Sequence, residues 1–285
     1  MKTFSWWENI TVLFFIAFCS VCKVEAQSCE DIFKKMFENI KNVKTLRTNI
    51  STTERIDDHI NRAHFAVKLN ISPYKAYSKD IDKGVELLYL EGKNDNEATV
   101  NPNGFPYVNL NLDPLGKTMR KDQHQTITRL GFNYISEVLF HSLSKYPDVY
   151  TKYVKRDADT VWDSYPCYKI EINFTNYTFT QYTVTGTDET ITKLAARYFL
   201  SEYKLLTLNK ISWYDDVLKN GKQLLMPSAY AKSTILIIRK DNYLPVVMRI
   251  YDDKGFFEAY TYTKLQLNSS ILDTEFTENY PGYHF

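Results

Sequence analysis

The sequence predicts an α+β fold: a curved, mostly antiparallel sheet covered by helices, with a compact βααβ segment inserted before its last strands. Three observations predict it. Apolar side chains alternate along several short runs, as in Phe65/Val67/Leu69 and Val85/Leu87/Tyr89, the period-two pattern of strands with one face turned inward. Tyr and Phe are abundant, 22 and 17 residues against nine Gly and nine Pro, and aromatic and β-branched side chains pack well on a twisted pleated surface. Two other stretches switch to the three- and four-residue spacing of amphipathic helices.

Residues 10–22, ITVLFFIAFCSVC, form an apolar run shorter than the about 20 residues that a membrane span needs. Lys2 precedes it, and Val24-Glu25-Ala26 places small residues where a signal peptidase reads. Residues 1–26 are therefore expected to be a secretory signal cleaved after Ala26. A lipid-bearing cysteine among Cys19, Cys22 and Cys29, or a retained N-terminal anchor, are the alternatives. Export leaves Cys29 and Cys167 as a disulfide candidate in an oxidising compartment, the other reading being two isolated buried thiols. These cysteines stand far apart in the chain and no His pair stands at ligand spacing, so no metal is expected.

From Cys29 the spacing of Ile32, Phe33, Met36, Phe37 and Ile40 predicts a helix with one buried face. Strands are expected over 46–56, 63–69, 74–78 and 84–90, followed by a turn at Asn94-Asp95-Asn96. A second helix is expected over 125–145, with Leu130, Ile135, Val138, Leu139 and Leu143 at or beside its apolar face. A further strand runs over 168–174. The C-terminal part reads as a meander of TILIIRK, VVMRIYDD and FFEAYTYTKLQLN, with turns at the Pro245 corner and at Asp253-Lys254-Gly255. The expected organisation is a signal over 1–26, a first part of the main domain over 27–178, an insert over 179–231, and the closing meander over 232–285. A formal net charge of +1 indicates neither nucleic acid nor an acidic membrane surface as partner.

In the insert, a β run at Tyr182 and Val184 leads to Thr190, an N-cap for a helix whose apolar face is Ile191, Leu194, Ala195 and Tyr198. Ser201 caps a second helix carrying Leu205 and Leu206, Asn209 ends it, Gly221 turns the chain, and QLLMP closes the unit at Pro227. The YTV run, Thr-Ile-x-x-Leu-Ala, Leu-x-x-x-Asn and Gly-x-x-Leu-x-x-Pro resemble a LysM module, a fold that binds N-acetylglucosamine-containing glycans such as peptidoglycan. The resemblance implies a glycan groove between Asp188, Glu189, Thr190 and Ile191 on one side and Lys210, Ile211, Ser212 and Trp213 on the other. Gly186 sits earlier than the family's acidic-pair motif places it, and Thr187-Asp188-Glu189 makes that loop about one residue longer. A packing module without sugar binding is the alternative.

GVELLYLEGKND, LDPLGKTMRKDQHQTITRLGF and the C-terminal meander are similar to a secreted bacterial domain family of unknown function. The order of helix, meander and aromatic strands also resembles the lipoprotein carriers LolA and LolB. That second resemblance implies an incomplete barrel closed over by helices, in the periplasm or cell envelope of a Gram-negative-type bacterium. The aromatic, alternating sheet with helices on one side suits an apolar cavity for a lipid or acyl chain, for which Phe65, Val67, Leu87, Tyr89, Ile237, Met248 and Tyr260 are the candidate lining residues. Peptidoglycan association through the insert is the leading expectation, and lipid or lipoprotein binding in the cavity is the alternative.

The enzyme reading rests on Arg120-Lys121-Asp122-Gln123-His124-Gln125, where His124 would act as general base with Asp122 or a distant carboxylate orienting it. The competing reading makes these residues the polar lead-in to a helix beginning near Gln125, with Asp122 at its positive end. The sequence has no Gly-x-Ser-x-Gly elbow, His-Glu-x-x-His pair or phosphate loop. No catalytic constellation and no cofactor are expected, and the oligomeric state is left open.

Overall fold

The computed structural model describes residues 27–285; the signal segment and its cleavage position lie outside them. Helix α1 (Cys29–Lys41) opens the described chain, and Ser28 caps it by accepting from the Asp31 amide. Its Ile32, Phe33, Met36 and Ile40 are buried, each contributing about 1.5–3 kcal/mol of burial free energy. No helix of the described residues is long and apolar enough to cross a membrane.

Six antiparallel strands follow: β1 (Thr45–Ile56), β2 (His59–Asn70), β3 (Lys75–Asp80), β4 (Glu86–Leu90), β5 (Ala98–Asn101) and β6 (Leu110–Leu112). β1 and β2 turn through Asp57-Asp58, so β2 begins four residues before the expected Ala63. β5 and β6 were not expected, because the alternation that marks them, Ala98/Val100 and Val108/Leu110/Leu112, is short and lies in an Asn-rich run broken by Pro102 and Pro106.

The second predicted helix begins later than its periodicity implies. Residues 113–132 form an irregular cover containing the short helix α2 (Lys117–Arg120) and a 3₁₀ turn at Ile127–Arg129, and only then does α3 (Asn133–Ser144) start. Gly131 separates the two at φ +91°, a conformation that L side chains rarely adopt. A Cβ there would stand 3.1 Å from Leu69 Cδ1, and the Gly131 carbonyl accepts from the Tyr262 hydroxyl at 3.0 Å.

After α4 (Val149–Lys152) come β7 (Val154–Arg156), β8 (Thr160–Trp162) and β9 (Tyr165–Asn173). The insert contains β10 (Phe179–Thr183), α5 (Ile191–Tyr198), α6 (Glu202–Leu208) and β11 (Gln223–Pro227). β10 and β11 form a separate two-stranded sheet, and Val184, Ile191, Leu194, Leu205 and Leu224 make a core of their own. The main sheet resumes with β12 (Ser233–Arg239), β13 (Pro245–Asp252) and β14 (Gly255–Leu267).

The main sheet has twelve strands along the path β6-β5-β4-β3-β2-β1-β14-β13-β12-β9-β7, with β8 paired to β9 off that path. Its two path ends, β6 and β7, are not joined, so the curved antiparallel sheet stays unclosed. β9 and β12 are hydrogen-bonded neighbours, and the Phe174 amide donates to the Lys232 carbonyl at 2.9 Å. The insert therefore leaves and re-enters the sheet at one point.

Candidate functional site: a covered cavity with a buried polar wall

The strand registers set three rows of side chains on the inner face of the sheet. Tyr262, Ile50 and Phe65 form the first row, Tyr260, Thr52 and Ala63 the second, and Glu258, Glu54 and Asn61 the third. Successive rows lie two residues apart, so they share one face, and polarity rises from the first row to the third. Val85, Leu87, Val100 and Leu112 continue the apolar surface toward the β6 edge, and Met248 extends it beyond β14.

The cover closes over this face with Met119, Gln123, Gln125, Ile127, Arg129 and Leu130, joined by Tyr134 and Ile135 from α3. Between sheet and cover lies a cavity of about 490 Å³, within the range of about 300–1,000 Å³ common to small-molecule sites.

Four of the expected lining residues, Phe65, Leu87, Met248 and Tyr260, border this cavity. Val67 and Tyr89 are buried in the adjoining core and do not border it. Ile237 is corrected outright. Its neighbour Leu236 pairs with Met248, so Ile237 stands on the opposite face of β12. The run Ile235–Ile238 is apolar at every position, which removes the alternation that would tell one face from the other.

At the polar wall, His124 is 2 % exposed and does not precede a helix, which corrects both the capping reading of residues 122–125 and the expected start of α3. Its ring lies between Tyr203 and Phe257, with centroids at 4.3 and 4.5 Å. Nδ1 donates to Glu258 Oε2 at 2.7 Å and Nε2 donates to the Arg55 carbonyl at 3.0 Å. With a carboxyl oxygen and a carbonyl oxygen facing its two nitrogens, the ring sits in a setting that favours the imidazolium form. Burial alone would lower the His124 pKa, but the hydrogen bond and charge of Glu258, with the charge of Glu54, outweigh it and hold it above the ordinary value.

The Tyr260 hydroxyl lies 2.8 Å from Glu54 Oε1 and 3.0 Å from Glu258 Oε2. Its single proton is shared between the two carboxyl groups. Glu258 already accepts from His124 and from the Tyr230 hydroxyl at 2.7 Å. Burial pushes the Glu54 carboxyl above its usual range and the Glu258 charge adds to it, against the pull of His124. The Tyr260 hydroxyl thus joins the two carboxyl groups, and Glu258 ties both to His124 and Tyr230.

Glu54, His124 and Glu258 each bring a ligand-type atom within 4.8 Å of the others, a spacing that a metal ion can span. Hydrogen bonds within the cluster already account for these atoms. Both His124 nitrogens are engaged and the ring does not border the cavity; of the two orienters weighed, Asp122 is exposed, and a distant carboxylate, Glu258, faces the ring. Sequence reasoning missed Glu54 and Glu258. The one available signal was Ile50/Thr52/Glu54, an alternation that continues inward onto a charged residue.

Helix α6 fixes the cover from outside. Glu202 pairs with Arg120 and, at 2.5 Å, with Arg129, two points of the cover nine residues apart. Tyr203 donates to Asp57, and Lys204 pairs with Asp252 and Asp253 at 2.7 and 2.5 Å. The expected glycan residues have mostly internal partners. The Thr190 hydroxyl caps α5, Glu189 pairs with Arg197 at 2.8 Å, Asp188 pairs with Lys193 at 2.6 Å, and Ile191 and Ile211 belong to the insert core. Trp213 packs partly on that core with the Lys117 ammonium 5.6 Å from its ring. Lys210 and Ser212 are exposed.

Cys29 and Cys167, left open between a disulfide and two isolated thiols, are both free. Cys167 is buried in β9, where its thiol donates to the Tyr165 carbonyl at 3.2 Å. Burial raises the pKa of both thiols above their ordinary value.

Residues 43–188, about half of the chain, match the family described as protein of unknown function (DUF1571). The chain belongs to this family. The DUF1571 match holds β1–β10 and the cover, whereas the two helices of the insert and β12–β14 lie beyond it. No curated protein matches the chain. Among solved structures, the Mycobacterium tuberculosis lipoprotein LppX is 14 % identical, with 86 % of this chain and 99 % of that one covered at a TM-score of 0.40. A LolA superfamily protein from Nitrosomonas europaea is 13 % identical, covering 90 % and 100 % at 0.34. A DUF1329 family protein from Desulfovibrio piger is 9 % identical, covering 87 % and 96 % at 0.33.

Proposed function

We propose that this DUF1571 protein is a non-enzymatic carrier that holds an acyl chain or lipidated segment in the covered cavity. The supporting observation is the cavity itself: about 490 Å³, apolar along Ile50, Phe65, Leu87, Val100 and Met248, and polar at Glu54 and Asn61. That gradient suits a ligand with an apolar tail and a hydrogen-bonding head. An exported protein of the bacterial envelope is the compartment this reading requires.

Delipidated protein titrated with a fluorescent fatty-acid probe tests it. Emission should rise saturably and fall on addition of unlabelled fatty acid, and mass spectrometry of an organic extract of the purified protein should detect lipid. No enhancement together with a lipid-free extract sinks the reading.

The order β10-α5-α6-β11 favours a second reading, association with peptidoglycan through the insert. It predicts co-sedimentation with insoluble peptidoglycan that Trp213→Ala weakens. Equal recovery of both proteins in the supernatant rejects it.

A further inference from the structure

We propose that the loop between β5 and β6, residues 102–109, docks on the surface of a zwitterionic phospholipid bilayer. The inference rests on the carrier reading for its purpose, and adds where the ligand comes from. Phe105 and Tyr107 are 84 % and 82 % exposed and Val108 is 59 % exposed. The two rings meet edge to face with centroids 6.3 Å apart, so they project as a pair. An aromatic pair and an adjacent Val left in water form an apolar tip of the kind that marks an interaction site.

The composition around this tip favours a bilayer over a protein surface. Residues 98–112 contain no charged side chain, and Asn101, Asn103, Asn109 and Asn111 frame the aromatic tip. Aromatic rings favour the boundary between headgroups and acyl chains, where a polar hydroxyl and apolar ring are both accommodated. The loop also holds its own shape: the Tyr107 amide donates to the Gly104 carbonyl at 2.6 Å, and the Asn103 amide donates to Asn101 Oδ1 at 2.7 Å. The Asn103 side chain donates to the Lys83 carbonyl at 2.8 Å, and Lys83 borders the cavity. Both strands joined by the loop contribute cavity residues, Val100 from β5 and Leu112 from β6. Insertion of the tip would bring the β6 side of the cavity to the lipid surface.

The test is flotation with phosphatidylcholine vesicles, comparing the wild-type protein with a Phe105→Ala, Tyr107→Ala, Val108→Ala triple variant, alongside vesicle-free titration with the fatty-acid probe. The wild type should float, and the variant's partition should fall about tenfold or more. Both should retain the same thermal midpoint and the same probe affinity in solution. Failure of the wild type to float, or equal flotation of the two proteins, overturns the proposal. Flotation only with anionic vesicles, or a concentration-dependent dimer that the variant abolishes without any flotation, also overturns it. If neither protein binds the probe but the flotation difference holds, docking stands and the carrier reading fails.

Discussion

Tyr203 on the second helix of the insert stacks on His124 of the cover, with ring centroids 4.3 Å apart. This contact and the flanking Glu202 and Lys204 pairs make α6 a brace between the insert and the cavity. Removing Glu202 leaves Arg120 and Arg129 without their carboxylate in a buried setting. Glu202→Ala should cost about 3–5 kcal/mol, measured by urea denaturation, and should speed hydrogen exchange over residues 117–131 first. A loss below about 1 kcal/mol would show that the pair is not a brace.

Stability should fall as pH rises through the folded-state titration of His124. Its pKa is raised in the folded protein, so its contribution is fully present below the ordinary value of about 6.5 and is lost above the raised one. The raised Glu54 pKa acts in the same direction at lower pH. Thermal midpoints recorded from pH 5 to 9, at roughly unit intervals, should decline for the wild type and flatten for His124→Asn.

The acid side is set in part by Glu275, which pairs with Arg47 at 2.6 Å and Lys68 at 2.9 Å. The Arg47 hydrogen bond, opposed by burial, holds its carboxyl down at about 2. Its contribution is present above the ordinary carboxylate range and disappears as pH falls through about 2. Glu275→Gln should lower stability at neutral pH and narrow its gap to the wild type on acidification, as followed by circular dichroism.

Filling the second row should block the ligand without harming the fold. Ala63→Phe places a ring in the space between Thr52 and the cover. Probe affinity should drop about tenfold or more, with the thermal midpoint unchanged or higher. Unchanged affinity would place the ligand elsewhere.

Alkylation of unfolded, unreduced protein should label both Cys29 and Cys167, which are free thiols. Peptide mass spectrometry reads the result. A linked pair of peptides would contradict the structure.

The helix face of Ile32, Phe33, Met36 and Ile40 was legible because its spacing can be met in only one way, with those residues inward. The C-terminal meander was legible for a related reason, since turns at Pro245 and Gly255 separate runs of strand-forming residues. The cover was not legible. Residues 125–130 continue the apolar spacing of α3, but the backbone is extended at Thr126 and Leu130 and left-handed at Gly131, which keeps the helix from starting before Asn133. The polar wall was hidden more deeply, because Glu54, His124 and Glu258 meet through the β1–β14 register and the return of the cover. Local periodicity turns Glu54 inward but carries no trace of its partners.

The pairing of β1 with β14 has a consequence for synthesis. These strands are neighbours in the middle of the sheet, yet one opens it and the other comes last in the chain. A growing polypeptide can therefore form the β1–β6 half early, with its inner face bare, and must wait for Leu267 before the seam closes. Such non-local pairing slows folding and prolongs the exposure of an aggregation-prone surface. A chaperone engaging the nascent chain would have its longest opportunity on the same surface that later faces the cavity.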